Sequence, residues 1–106
     1  MITSNELNLI VAAIYRTEGS GHTHFPYGVR SIDIARDTCG NGHAIDVAEA
    51  RRVCANTVLR TAQRHRIAVV DRYFIYVLAD RYCPPQADPV GNRNWKVNMV
   101  CILHLK

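Results

Sequence analysis

Apolar residues recur three and four apart near the start of the chain, where Leu7, Ile10, Val11 and Ile14 fall on one stripe. That period is helical and predicts a helix over residues 4–18. Residues 19–28 break the pattern with three glycines, Pro26 and the aromatic pair Phe25 and Tyr27, the composition of a loop that folds back over the helix end. Val29, Ile32 and Ile34 alternate with Ser31 and Asp33, which allows at most a short extended or hairpin segment, and Cys39-Gly-Asn-Gly-His43 is turn-forming.

The helical period returns after this turn. Asp46 and Glu49 are spaced like a capping box and open a predicted second helix reaching residue 66, with Val47, Ala50, Cys54, Val58 and Ala62 on one face. Its other face carries Arg51, Arg52, Arg60 and Arg64, read as a solvated surface, with a polyanion-binding stripe as the alternative. Asp71 is placed to cap a third helix to residue 82, buried through Phe74, Ile75, Val77 and Leu78 and stopped by Pro84 and Pro85. Asn92 is the expected cap of a last helix carrying Trp95, Met99, Ile102 and Leu103. The whole reads as one mainly α domain over residues 1–106, with about four helices and at most a short hairpin.

Composition agrees with a folded domain. The chain has 106 residues, and 48% apolar content is enough for a real core. A formal net charge of +4 favours polyanions, among them nucleic acid, anionic lipid and bacterial cell wall, without choosing between them. The longest apolar run, from Leu9 to Tyr15, is far too short to suggest a membrane span, and the N-terminus has Glu6 where a signal peptide would be basic. Four cysteines, Cys39, Cys54, Cys83 and Cys101, permit three pairings, and nothing marks the compartment as oxidising; free or partly paired buried thiols are expected.

Glu18 is the residue with the strongest chemical content. It extends the stripe from Val11 and Ile14, so its carboxyl group faces the interior, and Gly19 after it supplies a left-handed helix stop. Apolar burial and the negative end of a helix both disfavour ionisation, and a carboxyl group kept protonated near neutral pH is what a general acid requires. Glycoside cleavage is the reaction that most often asks for one.

The segment Thr17-Glu18-Gly19-Ser20-Gly21, followed by Pro26-Tyr27-Gly28-Val29-Arg30-Ser31-Ile32, resembles the lysozyme-like superfamily, and lytic transglycosylases and goose-type lysozymes in particular. Those families end a helix on the catalytic Glu and place a Gly-Leu-Met-Gln-Ile motif about ten residues later. Gly28-Val29-Arg30-Ser31-Ile32 stands in that place here, with Arg30 and Ser31 where relatives have Met and Gln. Leu78-Ala79-Asp80-Arg81-Tyr82-Cys83-Pro84 is similar to the later segment that carries a substrate-facing tyrosine before a turn, and Asp88, Asn94 and Trp95 follow as in muramidase-like domains.

The resemblance implies a small lysozyme-like domain acting on the β-1,4-linked glycan strand of peptidoglycan, at the cell wall or periplasm, with no cofactor. Glu18 would be the catalytic acid; Tyr27, Tyr82 and Trp95 would line a sugar groove, Gly28 would let the backbone approach the substrate, and Ser31 would donate a hydrogen bond where relatives use an amide. Hydrolysis calls for a second carboxylate, and the nearest later acids, Asp33 and Asp37, read as surface or capping residues. The single-carboxylate route, in which the sugar's own hydroxyl attacks, is therefore the expected one.

Other readings compete. His22, His24, Cys39 and His43 offer nitrogen and sulfur ligands for a zinc-stabilised domain, although no Cys-x-x-Cys knuckle accompanies them. The basic helix would suit a nucleic-acid or protein-binding module, yet no recognition motif goes with it, which argues against nucleic acid. A lysozyme-like fold without catalysis, serving wall binding or assembly, is the remaining alternative.

Overall fold

The computed structural model describes residues 1–19, 26–29 and 44–105. Among them are four α-helices and one short 3₁₀ turn, with no strand. The mainly α expectation holds, and the hairpin considered near Ile32 and Ile34 lies outside the described residues.

Helix α1, Ser4–Thr17, begins with a feature the hydrophobic pattern does not reveal. Thr3 Oγ1 accepts from the Glu6 amide at 3.1 Å while Glu6 Oε1 accepts from the Thr3 amide at 2.9 Å, so two orphan donors are satisfied reciprocally. The bond from the Thr3 amide first, and the Thr3 side chain second, hold the Glu6 carboxyl below its ordinary value. Ile10, Val11, Ala13 and Ile14 are buried. The helix stops at a cap on Glu18, and Gly19 follows at φ 92°, a left-handed conformation that a side chain would strain.

Helix α2, Ala44–Arg64, starts two residues before the expected cap, so Asp46 lies inside the helix. Glu49, the other half of the expected capping box, pairs forward with Arg52. The helix also ends two residues early. Ile67 folds back so that its amide reaches the Ala62 carbonyl at 2.8 Å, which forces Arg66 to φ 53°. Ala50, Cys54 and Val58 are fully buried along the predicted face, while Arg51, Arg52, Arg60 and Arg64 are exposed.

Helix α3, Arg72–Tyr82, is capped by Asp71, whose side chain accepts from the Phe74 amide at 3.0 Å. Phe74, Ile75, Leu78 and Ala79 are buried, and Val77 is half-buried at the edge. Helix α4, Pro89–Ile102, corrects the expected cap: Asp88, not Asn92, accepts from the Gly91 amide, with Pro89 in the first turn where a missing N–H costs nothing. Asn92 is buried and works across the interface instead. Its Nδ2 donates to the Cys83 carbonyl at 2.7 Å and to Asp80 Oδ1 at 3.0 Å, tying the end of α3 to the start of α4.

Helix α1 packs on α2 and α4, and α3 packs on α4 and α2. Their shared core runs through Ile10, Ile14, Cys54, Val58, Phe74, Ile75, Leu78 and Met99, all fully buried. The turn at Pro26–Gly28 lies against both α1 and α2. Among the described residues, no helix is long and apolar enough to cross a membrane.

Candidate functional site

The C-terminal end of α1 meets α4 through two consecutive residues. Thr17 Oγ1 donates to Met99 Sδ at 3.4 Å, and one helical turn earlier on α4 the Trp95 indole donates from Nε1 to Glu18 Oε1 at 2.9 Å. The stripe that buries Val11 and Ile14 thus also delivers the half-buried Glu18 side chain to the inner face of α4. An N–H pointed at a carboxylate favours its charged form, a third influence opposing the burial and helix-end effects expected from sequence.

Among the described residues, α2, α3 and the short turn supply the rest of the surround. The Tyr82 ring stacks on Trp95 with centroids 5.4 Å apart and planes inclined by 14°. Its hydroxyl donates to Cys54 Sγ at 3.4 Å, so α2 reaches the same cluster. Burial first pushes the Cys54 thiol up to about 11, and burial likewise raises the Tyr82 phenol; the Glu18 charge adds to both in the same direction. Cys54 is therefore a protonated thiol near neutral pH, and neither it nor Cys101 forms a disulfide.

Gly28 lies against a further side of the cluster at φ 68°. A methyl group added there would stand 3.0 Å from Tyr82 Cδ1, 3.1 Å from Glu18 Cδ and 3.2 Å from Glu18 Oε1. The glycine lets the turn lie directly against the carboxyl group. Tyr27 beside it takes φ 60°, unusual for a residue with a side chain, and its ring stacks on Tyr15 at 4.6 Å. Burial raises the Tyr27 phenol as well.

Of the six residues expected at the site, the structure brings Glu18, Gly28, Tyr82 and Trp95 into one cluster, with Tyr27 in the adjoining turn. Ser31 lies outside the described residues, as do Asp33 and Asp37 and the zinc candidates His22, His24, Cys39 and His43. Trp95 is only 3% exposed and Tyr27 only 8%, so neither ring is an open platform for a sugar. Gly28 admits the backbone of the turn close to the glutamate. Tyr82, half-buried, has one face covered by Trp95.

Cys54 and Tyr15 are the cluster members that sequence reasoning left unassigned. Cys54 sits on the buried stripe of α2 and reads there as an ordinary small apolar residue; only the approach of α3 gives its sulfur a hydroxyl partner. No family model matches this chain, nor does any curated protein or solved structure.

Proposed function

We propose that the protein cleaves the glycan strand of peptidoglycan, with Glu18 as the single general acid and base. The observation that supports this most is the Glu18–Trp95 arrangement: a glutamate at a helix end that accepts a directed hydrogen bond from a pair of stacked aromatic rings. Such a group is fixed in orientation and only partly solvated, which suits proton transfer to a glycosidic oxygen.

In this reading Glu18 protonates the leaving oxygen as the bond to the anomeric carbon breaks. The sugar's own hydroxyl then attacks that carbon and returns its proton to Glu18, so no second carboxylate and no cofactor are needed. Tyr82 and Gly28 shape the wall beside the carboxyl group. Proton transfer of this kind contributes roughly 10²- to 10⁴-fold to rate.

The test is incubation of wild type and Glu18→Gln with peptidoglycan, both proteins first shown helical by circular dichroism, with released fragments identified by mass spectrometry. Anhydro-muropeptides from wild type, reduced by two or more orders of magnitude in Glu18→Gln, are the expected result. Ordinary reducing ends would make the protein a hydrolase and require a second acid. A second reading, a wall-binding or assembly part without catalysis, draws on the burial of Trp95 and Tyr27, which removes two of the three expected sugar platforms. Binding to sedimented cell walls without any release would select it.

A further inference from the structure

Trp95 is the single tryptophan of the chain, and its N–H is 2.9 Å from one defined oxygen of Glu18. In a protonated carboxyl group the carbonyl oxygen accepts hydrogen bonds well and the hydroxyl oxygen donates. An indole has only a donor to offer. The oxygen facing Trp95 is therefore the one without the proton in either charge state.

We propose that Trp95 is the positioning residue of this site: its N–H occupies Glu18 Oε1, so that the exchangeable proton travels on Oε2. The assignment to proton transfer rests on the glycan-cleavage reading above, whereas the coupling between indole and carboxyl group does not. In the reaction, the Oε2–H bond breaks as the proton passes to the leaving oxygen, and Oε2 recovers a proton from the attacking hydroxyl. The ring of Trp95 is held by Tyr82, so the donor keeps its aim while the charge on Glu18 changes.

The same contact makes Trp95 a reporter. A donor to the charged form holds the carboxyl group more acidic than it would be without that bond. Among the described residues, the titratable and charged groups at this cluster are Cys54 and Tyr82, Arg51 and Arg81 acting on them, Tyr27 in the turn and Arg16 on the helix of Glu18 itself. The thiol and the phenols lose protons only at alkaline pH and the arginines stay charged, so a response at Trp95 between about pH 3 and 8 belongs to a carboxyl group or a histidine. Replacing Glu18 identifies which.

The experiment follows the single indole ¹H–¹⁵N resonance through that pH range in wild type and in Glu18→Gln. A shift with one midpoint in wild type that disappears in Glu18→Gln is the expected result; a pH-insensitive indole, or one titrating equally in both proteins, overturns the proposal. Trp95→Phe keeps a ring against Tyr82 and removes the donor together with part of the indole's volume. Followed by ¹³C-labelled glutamate side chains, its Glu18 midpoint should rise by about one pH unit, and an unmoved midpoint also overturns the proposal. If wild type releases muropeptides, the alkaline limb of its rate profile, where the protonated Glu18 is lost, should move upward by the same amount in Trp95→Phe. An indole that follows Glu18 in a protein that releases nothing keeps the coupling and rejects the glycan-cleavage role.

Discussion

Two charged regions of this molecule obey opposite physics. At the end of α1, one half-buried carboxyl group is flanked by side chains from α4 and α3 and by the backbone of the Gly28 turn, with α2 behind them. Along the outer face of α2, Arg51, Arg52, Arg60 and Arg64 meet water; Arg51 reaches Asn8 at 2.9 Å, and Arg52 pairs with Glu49 on its own helix. Charges in the first region interact through a medium of low polarity and with fixed partners, whereas those in the second are hydrated and screened. Small changes around Glu18 should therefore matter more than the removal of whole charges from α2.

Gly28→Ala tests that contrast most severely. It places a methyl group within 3.0 to 3.2 Å of Tyr82 and Glu18 at a left-handed backbone position. A loss of about 2 to 3 kcal/mol in urea unfolding is expected, since backbone strain of this type alone costs about 1–3 kcal/mol. A neutral substitution would mean that the turn does not press on the glutamate.

Alkaline pH probes the same cluster without mutation. Between an ordinary thiol at 9.0 and the buried Cys54 at about 11, the folded protein keeps a proton that the unfolded chain has released. Stability consequently falls as pH rises through that window, by an amount of order 2 kcal/mol, with Tyr82 acting in the same direction from pH 10 upward. Urea midpoints measured from pH 8 to 11.5 should decline, and Cys54→Ala should flatten the part that begins near 9. An unchanged slope in Cys54→Ala would place the titration elsewhere.

The caps of α3 and α4 lie between the two extremes. Asp71→Ala and Asp88→Ala each remove one side-chain acceptor from a helix start, at about 1 kcal/mol by the same unfolding assay. Asn92→Ala, in contrast, should resemble no cap variant, because its amide spans two helices; a loss larger than either Asp substitution is expected. At the bottom of the scale, Arg52→Gln should leave the urea midpoint unchanged, as exposed ion pairs usually contribute little.

Local signals made most of the helices legible. The stripe of α1, the face of α2 from Ala50 to Ala62 and the Asp71 cap depend on neighbours within a turn or two, and the chain carries them in plain order. The ends were less legible for the same reason. Arg66 gives no warning that it will take a left-handed conformation, because the driving contact is Ile67 returning to Ala62. Asn92 looks like a cap until its amide is seen to find better partners on α3.

Sequence alone determined that Glu18 would end a helix on its buried stripe, with a glycine stop behind it. Periodicity and backbone freedom are properties of adjacent residues, and they carry that much. Only the tertiary structure decided what Glu18 faces. Trp95 lies 77 residues away in the chain, and whether its indole nitrogen points to solvent, to a sugar or to a carboxyl group depends on how α1 crosses α4. The burial of Trp95, which turns an expected sugar platform into a hydrogen-bond donor to the glutamate, follows from the same packing. Side-chain type sets what a group can bond; the angle between helices sets which group it meets.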